Sequence, residues 1–152
     1  MSTDVSLRRP ALIVLGAYTV GLAVIGFLPV PVDREVSPWI YTIVKAVHAG
    51  GGPAWFTYDL IEFSANVALF VPFGVFAVLA TGGRRWWLAL GAGVAASATI
   101  ELVQWLLLPE RVPSALDVLA NSVGGLLGVS FGYVVLALRV EDGDRRHELL
   151  RP

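Results

Sequence analysis

The residues best suited to chemistry are a carboxylate and an amide in the middle of an apolar segment. Glu101 and Gln104 lie one helical turn apart in SATIELVQWLLLPE, residues 97–110, which is otherwise almost entirely nonpolar. At this spacing the two side chains share one face of a helix. A carboxylate in such a place can act as a general base or accept hydrogen bonds from a ligand. Its role depends on whether the segment faces water or lipid.

The composition favours lipid. Of the 152 residues, 56% are hydrophobic and 15% are charged, whereas a soluble domain carries about 25% charged residues. The net charge of −1 gives no reason to expect a nucleic-acid partner. Because the chain has no cysteine, it has no disulfide, thiolate nucleophile or cysteine metal ligand. We therefore expect an integral membrane protein.

Four stretches are long and apolar enough to cross a bilayer, which takes about 20 residues each. We predict spans at about 10–28, 60–81, 86–108 and 115–138, followed by a charged cytoplasmic tail at 139–152. Pro10 is expected at the first position of the first helix, where a backbone N–H is not needed. The fold class is thus all-α, a bundle of four transmembrane helices in a single domain.

The long loop after the first span contains a second kind of pattern. Apolar residues in 37–49 recur at helical spacing, which predicts a short amphipathic helix on the outer membrane surface. Ser37 is expected to be its N-cap, with Pro38 in its first turn. The alternative is an irregular loop packed over the helix ends.

The basic residues predict the orientation. With four crossings, one side of the membrane receives eight of the 11 basic residues: Arg8, Arg9, Arg84, Arg85, Arg139, Arg145, Arg146 and Arg151. The other side receives only Arg34, Lys45 and Arg111. Loops rich in Lys and Arg stay in the cytoplasm. Both termini and the tight turn between the second and third spans are therefore expected inside.

Polar side chains on three of the spans are expected at one depth. Counting about 1.5 Å per residue from the outer ends places Asn66, Glu101 and Asn121 roughly 9–10 Å inside. Gln104 and Asp117 lie nearer the outer surface, on the same helix faces. A charged side chain in mid-span costs about 2.5–3.5 kcal/mol on insertion scales, so Glu101 should face the bundle or a wet cavity.

The same helix faces continue inward as small residues. Gly124, Gly128 and Gly132 form a doubled GxxxG spacing, which permits close contact between helices. Ser97, one turn inward from Glu101, belongs to this small-residue stripe and is expected to matter much less than Glu101. A structural alternative also exists for the amides, since Asn66 and Asn121 could serve only as hydrogen bonds between helices.

Three blocks of the sequence contain most of these polar residues: NVALFVPFG at 66–74, SATIELVQ at 97–104 and RVPSALDVLANSVGGLLG at 111–128, with Asp59 before the first. Together these blocks resemble the VanZ-like family. The resemblance covers about 59–128 and implies a membrane protein of the bacterial plasma membrane. The family is named for an accessory protein of glycopeptide-resistance gene clusters, associated with resistance to teicoplanin. The blocks contain six polar residues that we take as the candidate site: Asn66, Glu101, Gln104, Arg111, Asp117 and Asn121.

We predict that these six residues form a polar pocket facing the outer leaflet. It would bind an envelope component: a lipid headgroup, a lipid-linked cell-wall precursor or a lipophilic glycopeptide. Arg111 suits a phosphate or carboxylate, because a guanidinium group can bond such groups through two parallel N–H donors. The role would be accessory, in envelope homeostasis or antibiotic resistance.

Two other functions stay open. In an intramembrane enzyme acting on a lipid-linked substrate, Glu101 would be the general base, Asp117 the second catalytic group, and Arg111 would stabilise anionic charge. A small transporter or structural module is the third reading, although no internal repeat is visible.

No cofactor or metal is expected. Asp59 and Glu62, with the two site carboxylates, are the one oxygen-ligand set that could hold a divalent cation. The oligomeric state does not follow from the sequence.

Overall fold

The chain folds into five helices within residues 3–28, 36–107 and 114–149, which the computed structural model describes. They are α1, Thr3–Phe27; α2, Ser37–Ala49; α3, Tyr58–Thr81; α4, Trp86–Leu107; and α5, Ala115–Leu149. Each helix except α2 contains a segment long and apolar enough to cross a membrane. No strand occurs in this described part. The predicted all-α bundle of four spanning helices, with a short helix in the loop after the first span, is confirmed.

The outer surface of the bundle is covered by large apolar side chains. Ile13 on α1 is 72% exposed, Leu107 on α4 is 71% exposed, and Phe131 on α5 is 57% exposed. A monomeric soluble protein rarely leaves such continuous apolar surface in water. In a bilayer the same side chains contact lipid tails, so the bundle does not need a large buried core to avoid exposing apolar surface to water.

Helices α3 and α5 pack with their backbones in contact. A Cβ atom added at Gly124 or Gly128 would collide with the backbone carbonyl of Val67 or Val71 on α3. Gly74 on α3 meets the backbone of α5 in the same way. The predicted glycine stripe therefore lies in this interface, where the absence of side chains allows the close approach.

The N-terminal part of α1 lies beside the C-terminal end of α3. Arg8 Nη2 donates a hydrogen bond of 2.9 Å to the carbonyl of Thr81, the last residue of α3. The hydroxyl of Tyr133 on α5 donates one of 2.6 Å to the carbonyl of Gly83 in the following turn. The start of α1, the α3–α4 turn and the later part of α5 thus share one end of the bundle. Which side of the membrane this end faces stays a prediction.

The α3–α4 turn depends on two glycines. Gly82 and Gly83 have φ angles of 61° and 75°, in the left-handed region that side chains disfavour. The N–H of Gly83 bonds the carbonyl of Val78 at 3.0 Å, and that of Gly82 bonds Leu79 at 3.4 Å. This pattern closes the end of α3 and reverses the chain within a few residues.

Two predicted helix starts are wrong. Helix α1 begins at Thr3, so Pro10 lies inside it rather than at its first position. The missing N–H removes a single bond near the helix end, where water can replace it. The N-cap of α2 is Val36, which has no capping side-chain bond, and Ser37 is already helical. Val36 has φ −91° and ψ −25°, so its backbone is helical one residue before the expected cap.

Candidate functional site

A cavity of about 110 Å³ lies at the end of the bundle where α1 and α4 finish and α3 and α5 begin. All four spanning helices contribute to its walls. Among the described residues, its polar lining consists of Asn66, Ser97, Glu101, Gln104, Asp117 and Asn121. The structure therefore brings five of the six candidate residues to one cavity. The sixth, Arg111, lies outside the described residues.

Asn66 and Asp117 join α3 to α5 across the cavity wall. The Nδ2 atom of Asn66 donates a hydrogen bond of 2.9 Å to Oδ1 of Asp117. Asp117 stands in the first turn of α5, where the N-terminal end of a helix favours negative charge. Both residues are half-buried. The amide and the helix end together lower the cost of placing this carboxylate inside the bundle.

Glu101 reaches from α4 to the start of α5. Its Oε2 atom accepts a hydrogen bond of 2.9 Å from the backbone N–H of Ser114. Ser114 immediately precedes α5, and its own hydroxyl accepts from the N–H of Leu116 at 3.1 Å. The carboxylate of Glu101 thus lies near the positive end of a helix, in a wall of the cavity.

Asn121 is the residue whose hydrogen bonds are incomplete. Its Nδ2 donates to Oγ of Ser97 on α4 at 2.7 Å. Its Oδ1 is buried and has no hydrogen-bond partner among the described groups. A buried carbonyl oxygen without a donor costs about 1–3 kcal/mol. Asn121 therefore offers an acceptor that a group entering the cavity can satisfy.

Ser97 is a site residue that the sequence analysis assigned to packing. It is 3% exposed, it lines the cavity, and it receives the amide of Asn121. The spacing of one helical turn between Ser97 and Glu101 indicated that both side chains lie on the same face of α4. The small size of Ser97 suggested a contact surface rather than a hydrogen-bond acceptor.

Gln104 lines the cavity and also forms a hydrogen bond between helices. Its side chain is 6% exposed, and its Nε2 donates a hydrogen bond of 2.8 Å to the carbonyl of Gly26. Gly26 is in the last turn of α1, where carbonyls have no partner within the helix. Gln104 thus closes the end of α1, and its predicted role in ligand binding stays a prediction.

The other described residues of the cavity wall are apolar. They come from α1, α3 and α4: Leu22, Ile25, Gly26, Leu69, Phe70 and Ile100. An apolar wall facing a polar one suits a molecule with both kinds of surface. The metal alternative finds no support in the same region, since no group of three or more His, Asp or Glu within the described residues could hold an ion.

The comparison with known families extends over most of the chain. The VanZ/LLP1 family model matches residues 15–137. The chain belongs to the VanZ/LLP1 family. The match includes every residue of the cavity lining and the six candidates. It also includes most of the first span and the long loop, where the sequence analysis found no motif. No curated protein and no solved structure matches the chain.

Family and fold together identify a VanZ-like multi-pass membrane protein. The matched segment, 15–137, contains α2, α3 and α4 completely and the larger part of both α1 and α5. Five of the six candidate residues in the three motif blocks line the cavity, and Arg111 lies outside the described residues. This cavity therefore brings the polar side chains of the three motif blocks together from α3, α4 and α5.

Proposed function

We propose that this VanZ-like protein binds the polar headgroup of an amphiphilic envelope molecule in the cavity between its four spans. The candidates are a membrane lipid, a lipid-linked cell-wall precursor or a lipophilic glycopeptide such as teicoplanin. The site would face the outer leaflet of the bacterial plasma membrane. By holding such a molecule the protein would act as an accessory factor in envelope homeostasis or glycopeptide resistance.

The observation that carries the proposal is the unpaired Oδ1 of Asn121. Residues in a bundle core normally satisfy each other, because an unpaired polar group is costly in a medium without water. Here the sequence places an amide between helices and leaves its acceptor without a donor in the described part. A ligand that donates a hydrogen bond to this oxygen removes the cost, and the free energy recovered adds to the affinity of the ligand.

The size of the cavity limits what can enter it. A volume of about 110 Å³ is well below the roughly 300–1,000 Å³ of pockets that enclose a drug-sized ligand. A single polar group fits, while the rest of a large molecule must stay outside. This agrees with an amphiphile whose tails lie along the apolar helix surfaces and whose headgroup reaches inward.

The charges of the lining favour a hydrogen-bond donor. Glu101 and Asp117 bring two carboxylates to the cavity, and Asn121 brings a carbonyl oxygen. Hydroxyl, amide and ammonium groups are the donors that such acceptors bind. Arg111 precedes this wall in the sequence, and a phosphate or carboxylate of the same headgroup would be its partner.

The variant Asn121→Leu tests the proposal, because leucine is similar in size and has no polar atom. Full-length protein is purified from bacterial membranes, and the molecules that remain bound are measured by native mass spectrometry. We expect wild type to retain a headgroup-bearing molecule and Asn121→Leu to lose it, although the variant still folds, as judged by circular dichroism. Equal retention by both proteins would overturn the proposal.

Thr99→Ala is the matched control. Thr99 is on α4, it is exposed, and its hydroxyl donates only to the carbonyl of Ala95 in its own helix, at 2.8 Å. The variant removes a polar atom at similar depth without touching the cavity. We expect its retained molecules to equal those of wild type.

An enzyme is the second candidate function, because both proposed catalytic carboxylates line the same cavity. Glu101 would act as the general base and Asp117 as the second acid–base group. The two functions differ in the fate of the ligand. If the retained molecule is released with its headgroup unchanged after prolonged incubation, the site binds; accumulation of a cleaved product by wild type, absent from Glu101→Gln, would establish catalysis.

A further inference from the structure

A second cavity lies at the opposite end of the bundle and is strongly basic. Its volume is about 550 Å³, several times that of the first cavity. Its lining within the described residues consists of Arg8, Thr81, Arg84 and Arg85. Three guanidinium groups and one threonine from two distant parts of the chain therefore surround one space.

No carboxylate lines this cavity among the described residues. No carboxylate among the described residues lies within ion-pair distance of Arg8, Arg84 or Arg85. Three like charges around one cavity repel each other, and the repulsion is stronger near a lipid boundary than in bulk water. Such an arrangement is stabilised when an anion enters.

Arg8 is held in position but not saturated. Its Nη2 donates to the carbonyl of Thr81, which fixes the guanidinium against the end of α3. Its Nε is buried and has no hydrogen-bond partner among the described groups. A buried N–H on a charged group carries a large penalty. The Nε–H of this fixed guanidinium can therefore serve as one of the two parallel N–H donors with which arginine binds a phosphate.

We propose that this basic cavity is a phosphate-binding site, filled by the phosphate group of an anionic phospholipid of the adjacent leaflet. The helix ends place the cavity at the membrane–water boundary, where lipid phosphates lie. The adjoining Trp86 and Trp87 begin α4, and tryptophan is typical of that boundary. The proposal concerns the other end of the bundle and does not rest on the function proposed above.

The test uses full-length protein in phosphatidylcholine nanodiscs, titrated with short-chain phosphatidylglycerol and followed by native mass spectrometry. We expect Arg8→Gln to weaken binding of this lipid by about tenfold or more, since a charge-assisted hydrogen bond is lost. Arg9→Gln is the matched control, because Arg9 is adjacent, exposed and not part of the cavity lining. An equal loss in both variants would show only general charge attraction and would overturn the site.

A second variant separates binding from folding, because Arg8 also fixes α1 to α3. Arg84 and Arg85 are exposed, and the double change to Gln leaves the bond between Arg8 and Thr81 in place. We expect this variant to fold as wild type, by circular dichroism and thermal unfolding, and to bind phosphatidylglycerol at least about tenfold less tightly. Normal lipid affinity in this variant would overturn the proposal.

Competition with inorganic phosphate shows whether the cavity recognises a whole phospholipid or the phosphate group alone. If inorganic phosphate displaces phosphatidylglycerol from wild type and from Arg9→Gln, the cavity recognises the phosphate group alone. If it does not, while Arg8→Gln still weakens lipid binding, recognition requires the lipid. Phosphatidylglycerol binding that falls equally with any added salt, sulfate or chloride alike, would contradict a specific site.

Discussion

The amide of Asn66 on α3 donates a hydrogen bond of 2.9 Å to the carboxylate of Asp117 on α5. It bridges the two helices whose glycines bring their backbones into contact. The bond lies at the rim of that interface, where small residues give way to polar ones. It therefore stabilises the bundle and shapes the cavity at the same time.

Removal of the donor should destabilise the bundle. Asn66→Leu leaves a half-buried carboxylate without this donor, and we expect the free energy of unfolding to fall by about 1–3 kcal/mol. Asp117→Asn keeps an acceptor and should cost less. Unfolding in mixed micelles of increasing denaturing-detergent content measures both. Ser64→Ala is the control, because Ser64 is exposed on α3 and bonds only the carbonyl of Leu60 in its own helix; an equal effect of Asn66→Leu and this control would contradict the interpretation.

The depth of the site was predictable from the sequence, whereas its hydrogen-bond pairing was not. Helix rise is constant, so counting from the span ends placed Asn66, Glu101 and Asn121 together. Their partners depend on how each helix is rotated and how closely it packs, which a single sequence does not specify. Asn121 therefore bonds Ser97, which the sequence analysis had treated as a packing residue.

The backbone groups that pair with the site side chains could not be predicted from the sequence either. Gln104 donates to the carbonyl of Gly26, and Glu101 accepts from the N–H of Ser114. Every residue carries such backbone groups, so the sequence gives no sign of which one a side chain will reach. The start of α1 was missed for a related reason: proline is favoured in a first turn, but the helix tolerates it at Pro10 because only one bond is lost.

The interface between α3 and α5 should tolerate no side chain at its centre. Gly128→Ala would bring a methyl group against the carbonyl of Val71, and we expect it to lower the free energy of unfolding by about 1–3 kcal/mol. Gly91→Ala is the control on α4, since nothing lies within 4 Å of the added Cβ. That change should be neutral or slightly stabilising, as alanine favours helix. The same detergent unfolding measures both, and similar values would mean that the helices can separate without loss.

The orientation can be tested by labelling, because the chain has no cysteine of its own. Ala54 follows α2, and Glu141 lies in the C-terminal part of α5; both are exposed. They are better positions than Gly51 and Gly83, whose φ angles of 83° and 75° would strain a cysteine. We expect Ala54→Cys to react with an impermeant maleimide in intact cells and Glu141→Cys to react only after permeabilisation. The reverse pattern would place the basic end outside.

Glu101 has two possible reasons to be charged. Its carboxylate accepts the N–H of Ser114 near the start of α5, and it lines the cavity in which we place the ligand. Two substitutions separate these reasons. Glu101→Gln keeps a carbonyl oxygen for Ser114 but removes the charge, whereas Glu101→Leu removes both.

If the charge serves the ligand, Glu101→Gln should fold normally, with stability changed by less than about 1 kcal/mol. Its carbonyl oxygen still accepts the N–H of Ser114, and the lost attraction to the helix end is small. The variant should nevertheless lose the retained molecule and any resistance to teicoplanin that the protein confers. Arg111→Gln should cause a similar loss, and the double variant little more, since residues that act as one unit are not additive. Glu101→Leu should in addition reduce stability by about 1–3 kcal/mol and hydrogen-exchange protection at Ser114, because the acceptor for the Ser114 N–H is gone. Full ligand retention by Glu101→Gln would assign the residue to the end of α5 alone.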